Sequence, residues 1–275
     1  MADISASDVK KLRDMTGAGM MDCKKALAES GGDFDKAIEV IRKKGQAVAS
    51  KRSEREATEG AVVAKVTDDH SRGAIIILNS ETDFVAKNEN FVALAYSILD
   101  LALEKNPSNL EELKELEMDG VKVADKIVEQ IGIIGEKIDV SYYSTLEATQ
   151  VIPYVHPGNK LATIVGFNKK TDFQVGKDVA MQVAAMNPVA VDKEGIPQSV
   201  IDKEIEIGKD QARQEGKAEE LLERIAIGKL NKFYKENTLL NQDFTKDSKK
   251  TVLQYLQEND KELTVTGFVR SALGG

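Results

Sequence analysis

The chain has 275 residues, with 38 Lys and Arg against 46 Asp and Glu, giving a net charge of −8. At 41% hydrophobic and 31% charged it is neither disordered nor fibrous, and its length suits one or two folded domains, with or without an appendage. The acidic balance argues against attachment to nucleic acid by bulk charge, which requires Lys and Arg to neutralise phosphates, and 5% aromatics without Trp disfavour a base-stacking platform.

A single cysteine, Cys23, excludes an intrachain disulfide, and two histidines, His70 and His156, are too few for a usual zinc or His-based metal site. No metal or cofactor is expected. The N-terminus, Met1–Ser5, lacks an apolar signal core. Apolar runs such as Ala74–Leu78 are far too short to span a bilayer. The expectation is a soluble, cytoplasmic chain with no membrane or direct nucleic-acid partner.

Three short helices open the chain. Ser5 and Asp8 stand at capping-box positions, and Val9, Leu12 and Met15 recur at helical spacing. Thr16–Gly19 breaks the pattern. A second helix runs from Met20 to about Ser30 with Cys23, Ala26 and Leu27 inward. Gly31-Gly32 ends it, and Asp33 caps a third helix whose stripe is Phe34, Ala37, Ile38 and Ile41. This unit is expected to end near Gly45. Lys51–Gly60 reads as a linker or solvated helix. Ala61–Val66 and Gly73–Leu78 read as a strand hairpin. Phe91–Leu103, Leu110–Leu116 and Val121–Ile131 read as helices, and Lys137–Tyr143 as a strand.

An internal repeat follows. Ala74–Phe84 (AIIILNSETDF) resembles Thr163–Phe173 (TIVGFNKKTDF) at an offset of 89 residues, and each copy runs into a helix. Gln198–Gln214 and Lys217–Tyr234 predict an antiparallel helical hairpin. Its stripes are Ile201, Ile205, Gly208 and Ala212 on one helix, and Leu221, Ile225 and Gly228 on the other. So thin a seam either lies on the body or meets a second copy. Thr251–Leu256 reads as a helix, Thr264–Val269 as a returning strand, and Ser271–Gly275 as loose. The fold class is α+β: an N-terminal three-helix module, a duplicated α+β core with antiparallel sheets, and an inserted hairpin. The division is 1–55, 56–140 and 141–275, with the hairpin at about 190–236.

Sites for covalent chemistry are scarce. Cys23 on an apolar helix face reads as a buried, inert thiol, with a thiol nucleophile as the alternative. His156 lies in a loop, Pro153–Lys160, before a strand. No P-loop and no dinucleotide-binding glycine motif is present. The unusual segment is Thr82-Asp83-Phe84-Val85-Ala86-Lys87-Asn88, with a carboxylate beside a bulky aromatic at a strand end. Exposed, it is an intrusive wedge. Spacing alone favours the plainer reading, in which Phe84 packs onto its own core, as Phe173 would. Of Met20 and Met21, one must leave the apolar stripe, giving an adaptable contact rimmed by Lys10, Arg13, Lys24 and Lys25.

Leu12–Leu27 (LRDMTGAGMMDCKKAL) and Thr82–Asn88 (TDFVAKN) resemble the two signatures of bacterial elongation factor Ts. His156-Pro157-Gly158 and Asp178–Ala185 resemble later stretches, so the likeness covers nearly the whole chain. It implies a guanine-nucleotide exchange factor for the GTPase elongation factor Tu, without covalent catalysis. The N-terminal module, similar to ubiquitin-associated domains, would contact the nucleotide-binding domain of Tu through Lys10, Arg13, Met20 and Met21. Thr82, Asp83, Phe84 and Val85, flanked by Ala86, Lys87 and Asn88, would intrude near the magnesium site. His156 would touch another part of Tu, and the hairpin would serve as a coiled coil able to mediate a homodimer. Better-known members continue into a C-terminal helical module after the last strand. This chain ends at Gly275, so that contact is not carried over, nor are Thr245 and Lys246. A ubiquitin-associated-like adaptor without exchange activity is the alternative, and it has no use for TDFVAKN.

Overall fold

The computed structural model describes residues 4–274. Met1–Asp3 of the N-terminal reading and Gly275 of the expected tail lie outside the described residues. The first three helices are α1 (Ala6–Thr16), α2 (Met20–Glu29) and α3 (Phe34–Arg52). Ser5 and Asp8 form the capping box, each side chain accepting from the other's amide. Gly17 ends α1 at φ +69°, a conformation that glycine adopts without steric cost, and its amide donates to the Arg13 carbonyl. Val9, Leu12, Cys23, Ala26, Leu27 and Ala37 form the module's core. Met15 is 56% exposed, contrary to its place in the α1 stripe.

The module does not end near Gly45. Gly45 sits inside α3, which continues through Lys51 and Arg52, so only the turn after Arg52 joins it to the next strand. Packing explains the interior glycine. A Cβ on Gly132, in α7 (Val123–Ile134), would lie 2.6 Å from the Gly45 Cα, so α3 and α7 cross with backbones in contact.

The core follows as β1 (Glu59–Val66), β2 (Arg72–Ser80), α4 (Asp83–Ala86), α5 (Glu89–Lys105), α6 (Leu110–Glu115), β3 (Glu117–Met118), β4 (Val121–Lys122), α7 and β5 (Asp139–Glu147). Then come β6 (Gln150–Val155), β7 (Leu161–Phe167), α8 (Phe173–Met186), α9 (Gln198–Gln214), α10 (Glu219–Asn237), β8 (Asp243–Phe244), β9 (Asp247–Thr251), α11 (Val252–Asn259) and β10 (Val265–Ala272). Two antiparallel three-stranded sheets result, ordered β1-β2-β5 and β6-β7-β10. Each has the second strand of its hairpin at the centre, followed by a TDF turn and a helix, so the duplication is present in topology.

Alternation across each strand explains why the centres read as unbroken apolar runs. On β2, Ala74, Ile76 and Leu78 face α5 and α7, while Ile75 and Ile77 face the other sheet. On β7, Val165 and Phe167 face the second helical layer, while Ala162 and Ile164 meet Ile75 and Val62 across the sheet interface. The order is helices, sheet, sheet, helices.

Three further expectations change. Pro153–Val155 belong to β6 rather than a loop, and β6 is an edge strand, where proline's missing donor is tolerated. Ser271 and Ala272 are paired in β10 with Ala162 and Leu161 rather than loose. In the hairpin, Gly208 and Ala212 are inward as expected, but the α10 seam is Leu222, Ala226 and Leu230, whereas Leu221 is 46% exposed. Ala226 packs against Gly208, which fixes the seam one residue further on.

Candidate functional site: the strand-end turn and its surroundings

Two side-chain caps build the TDFVAKN segment. Thr82 caps α4, its hydroxyl accepting from the Val85 amide at 3.5 Å. Asn88 caps α5, accepting from the Asn90 amide at 2.9 Å. Between the caps, α4 makes one turn. Its rotation puts Ala86 inward, lets Val85 pack on the first core, and throws Phe84 into solvent at 84% exposure. The expectation that Phe84 packs onto its own core is therefore overturned. Phe173, the equivalent in the second copy, is also half-exposed, at the first turn of α8.

Asp83 carries a full charge beside that ring. The Lys87 ammonium, 2.6 Å away at i+4, lowers the Asp83 pKa, against a smaller opposing effect of desolvation. Lys87 is raised in return, chiefly by its hydrogen bond to Asp83. Lys160 adds to the field on Asp83 and itself pairs with Glu59 at 2.9 Å.

That pair brings a second candidate to the same side. His156 lies just after β6 in the tight turn His156-Pro157-Gly158-Asn159, exposed, its Nδ1 2.9 Å from the Tyr154 hydroxyl. The Asn159 carbonyl accepts from the Val62 amide at 2.7 Å, stitching this turn to β1. The N-terminal candidates stand apart. Lys10, Arg13, Met20 and Met21 are all exposed, and both methionines point outward, at 50% and 64%, where spacing required it of only one. With Met15 they surround the α1–α2 junction. Sequence reasoning missed Met15 because helical spacing assigned it inward.

The link between module and turn runs through charges that no motif flags. Arg52, the last residue of α3, places Nη1 2.9 and 2.8 Å from the two oxygens of Glu81, the residue before Thr82. Glu136 grips Thr82 itself, accepting from its amide at 3.0 Å and its hydroxyl at 2.7 Å. Neither glutamate stands out in the sequence.

Cys23 is fully buried, its Sγ 3.6 Å from the Ala18 carbonyl, so a reactive surface thiol has no support. Among the described residues, no group of three His, Cys, Asp or Glu is placed to hold a metal, and no helix is long and apolar enough to cross a membrane. The arrangement suits insertion into a partner: an unpacked aromatic, an adjacent carboxylate and a braced backbone.

Comparison with known proteins gives the family. A family model described as "Elongation factor TS" matches residues 81–275. The elongation factor Ts of Flavobacterium psychrophilum is 54% identical over the full length of both chains. That of Porphyromonas gingivalis is 53% identical over 98% of each, and that of Prosthecochloris aestuarii 45% identical over the full length of both. A turn signature on an exposed strand end, a duplicated α+β core and full-length identity of this order place the chain in the elongation factor Ts family.

Proposed function

We propose that the chain is a guanine-nucleotide exchange factor for elongation factor Tu, working in the cytoplasm. It binds Tu·GDP, promotes release of GDP and magnesium through Thr82–Val85, and leaves when GTP rebinds. Family membership supports the partner. The observation that carries the wedge is the 84% exposure of Phe84 beside the charged Asp83. Burying such a ring in a partner's pocket is worth about 1.5–3 kcal/mol.

The physics is linkage. Magnesium requires near-ideal octahedral geometry, so displacing its ligands slightly costs much of the phosphate affinity. The Phe84 ring supplies apolar insertion energy, and the Asp83 carboxylate brings negative charge towards a cation site. Lys10, Arg13, Met20 and Met21 hold one part of Tu, and His156 another, so binding energy from these contacts drives the turn home. Whatever factor the chain takes from GDP affinity, GDP takes from the chain's affinity. No covalent bond changes, so the chain is an exchange factor and not an enzyme. Residues 1–55 serve docking, 56–140 carry the wedge, and 141–275 supply the second contact.

The test is the double variant Asp83→Ala, Phe84→Ala. Stimulated GDP release from Tu, followed by stopped flow, is expected to slow by about tenfold or more, the scale of about 1.4 kcal/mol in the barrier. The melting temperature should stay within about 2 °C, because Phe84 is 84% exposed and Asp83 lies on the surface. Release at the unaltered rate would remove the wedge from the mechanism.

A further inference from the structure

The turn is held by residues outside it, in a reciprocal way. Glu136, between α7 and β5, accepts from the Thr82 amide, while Glu81, beside Thr82, accepts from the Lys137 amide at 2.6 Å. Two backbone segments more than 50 residues apart thus exchange carboxylate-to-amide bonds. Glu81 is held further by Arg52 and by Arg55 at 3.2 Å. The Lys137 ammonium closes the circuit on the carbonyls of Ser53 and Arg55, at 2.8 Å each. Charge-assisted bonds of this kind are about twice as strong as neutral ones. A single helical turn has no stability of its own, so these bonds set where it points.

The second copy of the motif shows the contrast. Thr171 is held by the neutral Gln150, which accepts from its amide at 2.6 Å and donates to its carbonyl at 3.3 Å. There Asp172 caps the 14-residue α8 directly, with no separate turn to aim. The charged brace belongs to the copy that carries α4.

We propose that Glu81 and Glu136 are positioning residues for nucleotide exchange: they fix the direction in which Asp83 and Phe84 meet Tu, and Glu81, through Arg52, locks that direction to α3 and the N-terminal docking module. This rests on the wedge reading above. Freed of the brace, the turn must be ordered during nucleotide expulsion, which costs rate. The docking surfaces are untouched, so the chain's concentration dependence is preserved.

The test is stopped-flow release of fluorescent GDP from Tu at rising concentrations of the full-length chain, for Glu136→Ala, Glu136→Gln and Phe84→Ala side by side. Glu136→Ala is expected to lower the maximal release rate about tenfold and to leave the half-saturating concentration within about twofold. Glu136→Gln keeps one acceptor oxygen, so it should recover part of the rate. A full maximal rate for Glu136→Ala with a slowed Phe84→Ala overturns the positioning role and leaves the wedge standing. Full rates in both overturn the wedge and the positioning together. A loss confined to half-saturation also overturns the positioning role. If Glu136→Ala melts early, Thr82→Val removes the hydroxyl's bond to Glu136, together with its cap on the Val85 amide, and leaves the Thr82 amide bond to Glu136 in place. It should show the same split on a smaller scale, and a full maximal rate there overturns the proposal.

Discussion

Glu81, the residue before the turn, does not behave as an isolated glutamate. Desolvation pushes its pKa up, but the Lys137 amide, Arg52 and Arg55 outweigh it, and the result is a pKa below 4.5. A lowered folded-state value means the fold favours the carboxylate. That stabilisation is complete above the ordinary value of 4.5 and is lost as pH falls through the lowered one. Glu81→Gln is therefore expected to lower the melting temperature at pH 7, with the gap narrowing once the buffer falls below 4.5. Melting curves from pH 7 to pH 3 read this directly, and a gap independent of pH would show that the charge is not what stabilises. At this scale the sequence was only half legible. TDFVAKN marked a turn at a strand end, but whether Phe84 faced inward depended on α4, one turn long, which no periodicity can register. Glu136 was invisible because it lies 54 residues from Thr82.

Among the elements, the crossing of α3 and α7 joins the N-terminal module to the core. Gly132→Ala would set a Cβ 2.6 Å from the Gly45 Cα, against backbone that cannot swing aside. The expected effect is destabilisation by about 1–3 kcal/mol, despite alanine's advantage of about 1 kcal/mol in a free helix. Gly228→Ala in α10 is the control, since nothing lies within 4 Å of its would-be Cβ. There the propensity acts alone, and stability should rise by up to about 1 kcal/mol. Thermal or urea melts decide both signs. The same glycine shows the limit of reading elements from sequence. Gly45 reads as a helix end because glycine weakens helices, and only the partner helix reveals it as a close-approach residue. In α10, the adjacent Leu221 and Leu222 are equivalent by composition. The position of Gly208 on the facing helix selects Leu222.

For the whole molecule, the repeated TDF triplet made the duplication legible, and apolar runs located the central strands. The face-to-face packing of the two sheets was not legible, because Ile75 and Ile77 on one side of β2 look no different from Ile76 and Leu78 on the other. A run buried on both faces says that two layers cover it, not which two. The hairpin α9–α10 differs from everything else in how it joins the body. The Val189 amide donates to the Asn237 carbonyl, and the Leu239 and Leu240 amides to those of Ala190 and Val191, all at 2.9 Å. The chain therefore leaves and re-enters the core at neighbouring points. Replacing residues 192–237 with a short Gly-Ser bridge is expected to leave one cooperative melting transition and intact amide protection in β6, β7 and β10, read by hydrogen exchange. Lost protection would show the limb to be part of the fold. As built, it is a detachable cassette. Insertions or deletions along it alter its reach by about 1.5 Å per residue pair without shifting the register of any strand. The tip can thus be tuned for a partner while the core stays mechanically indifferent to the change.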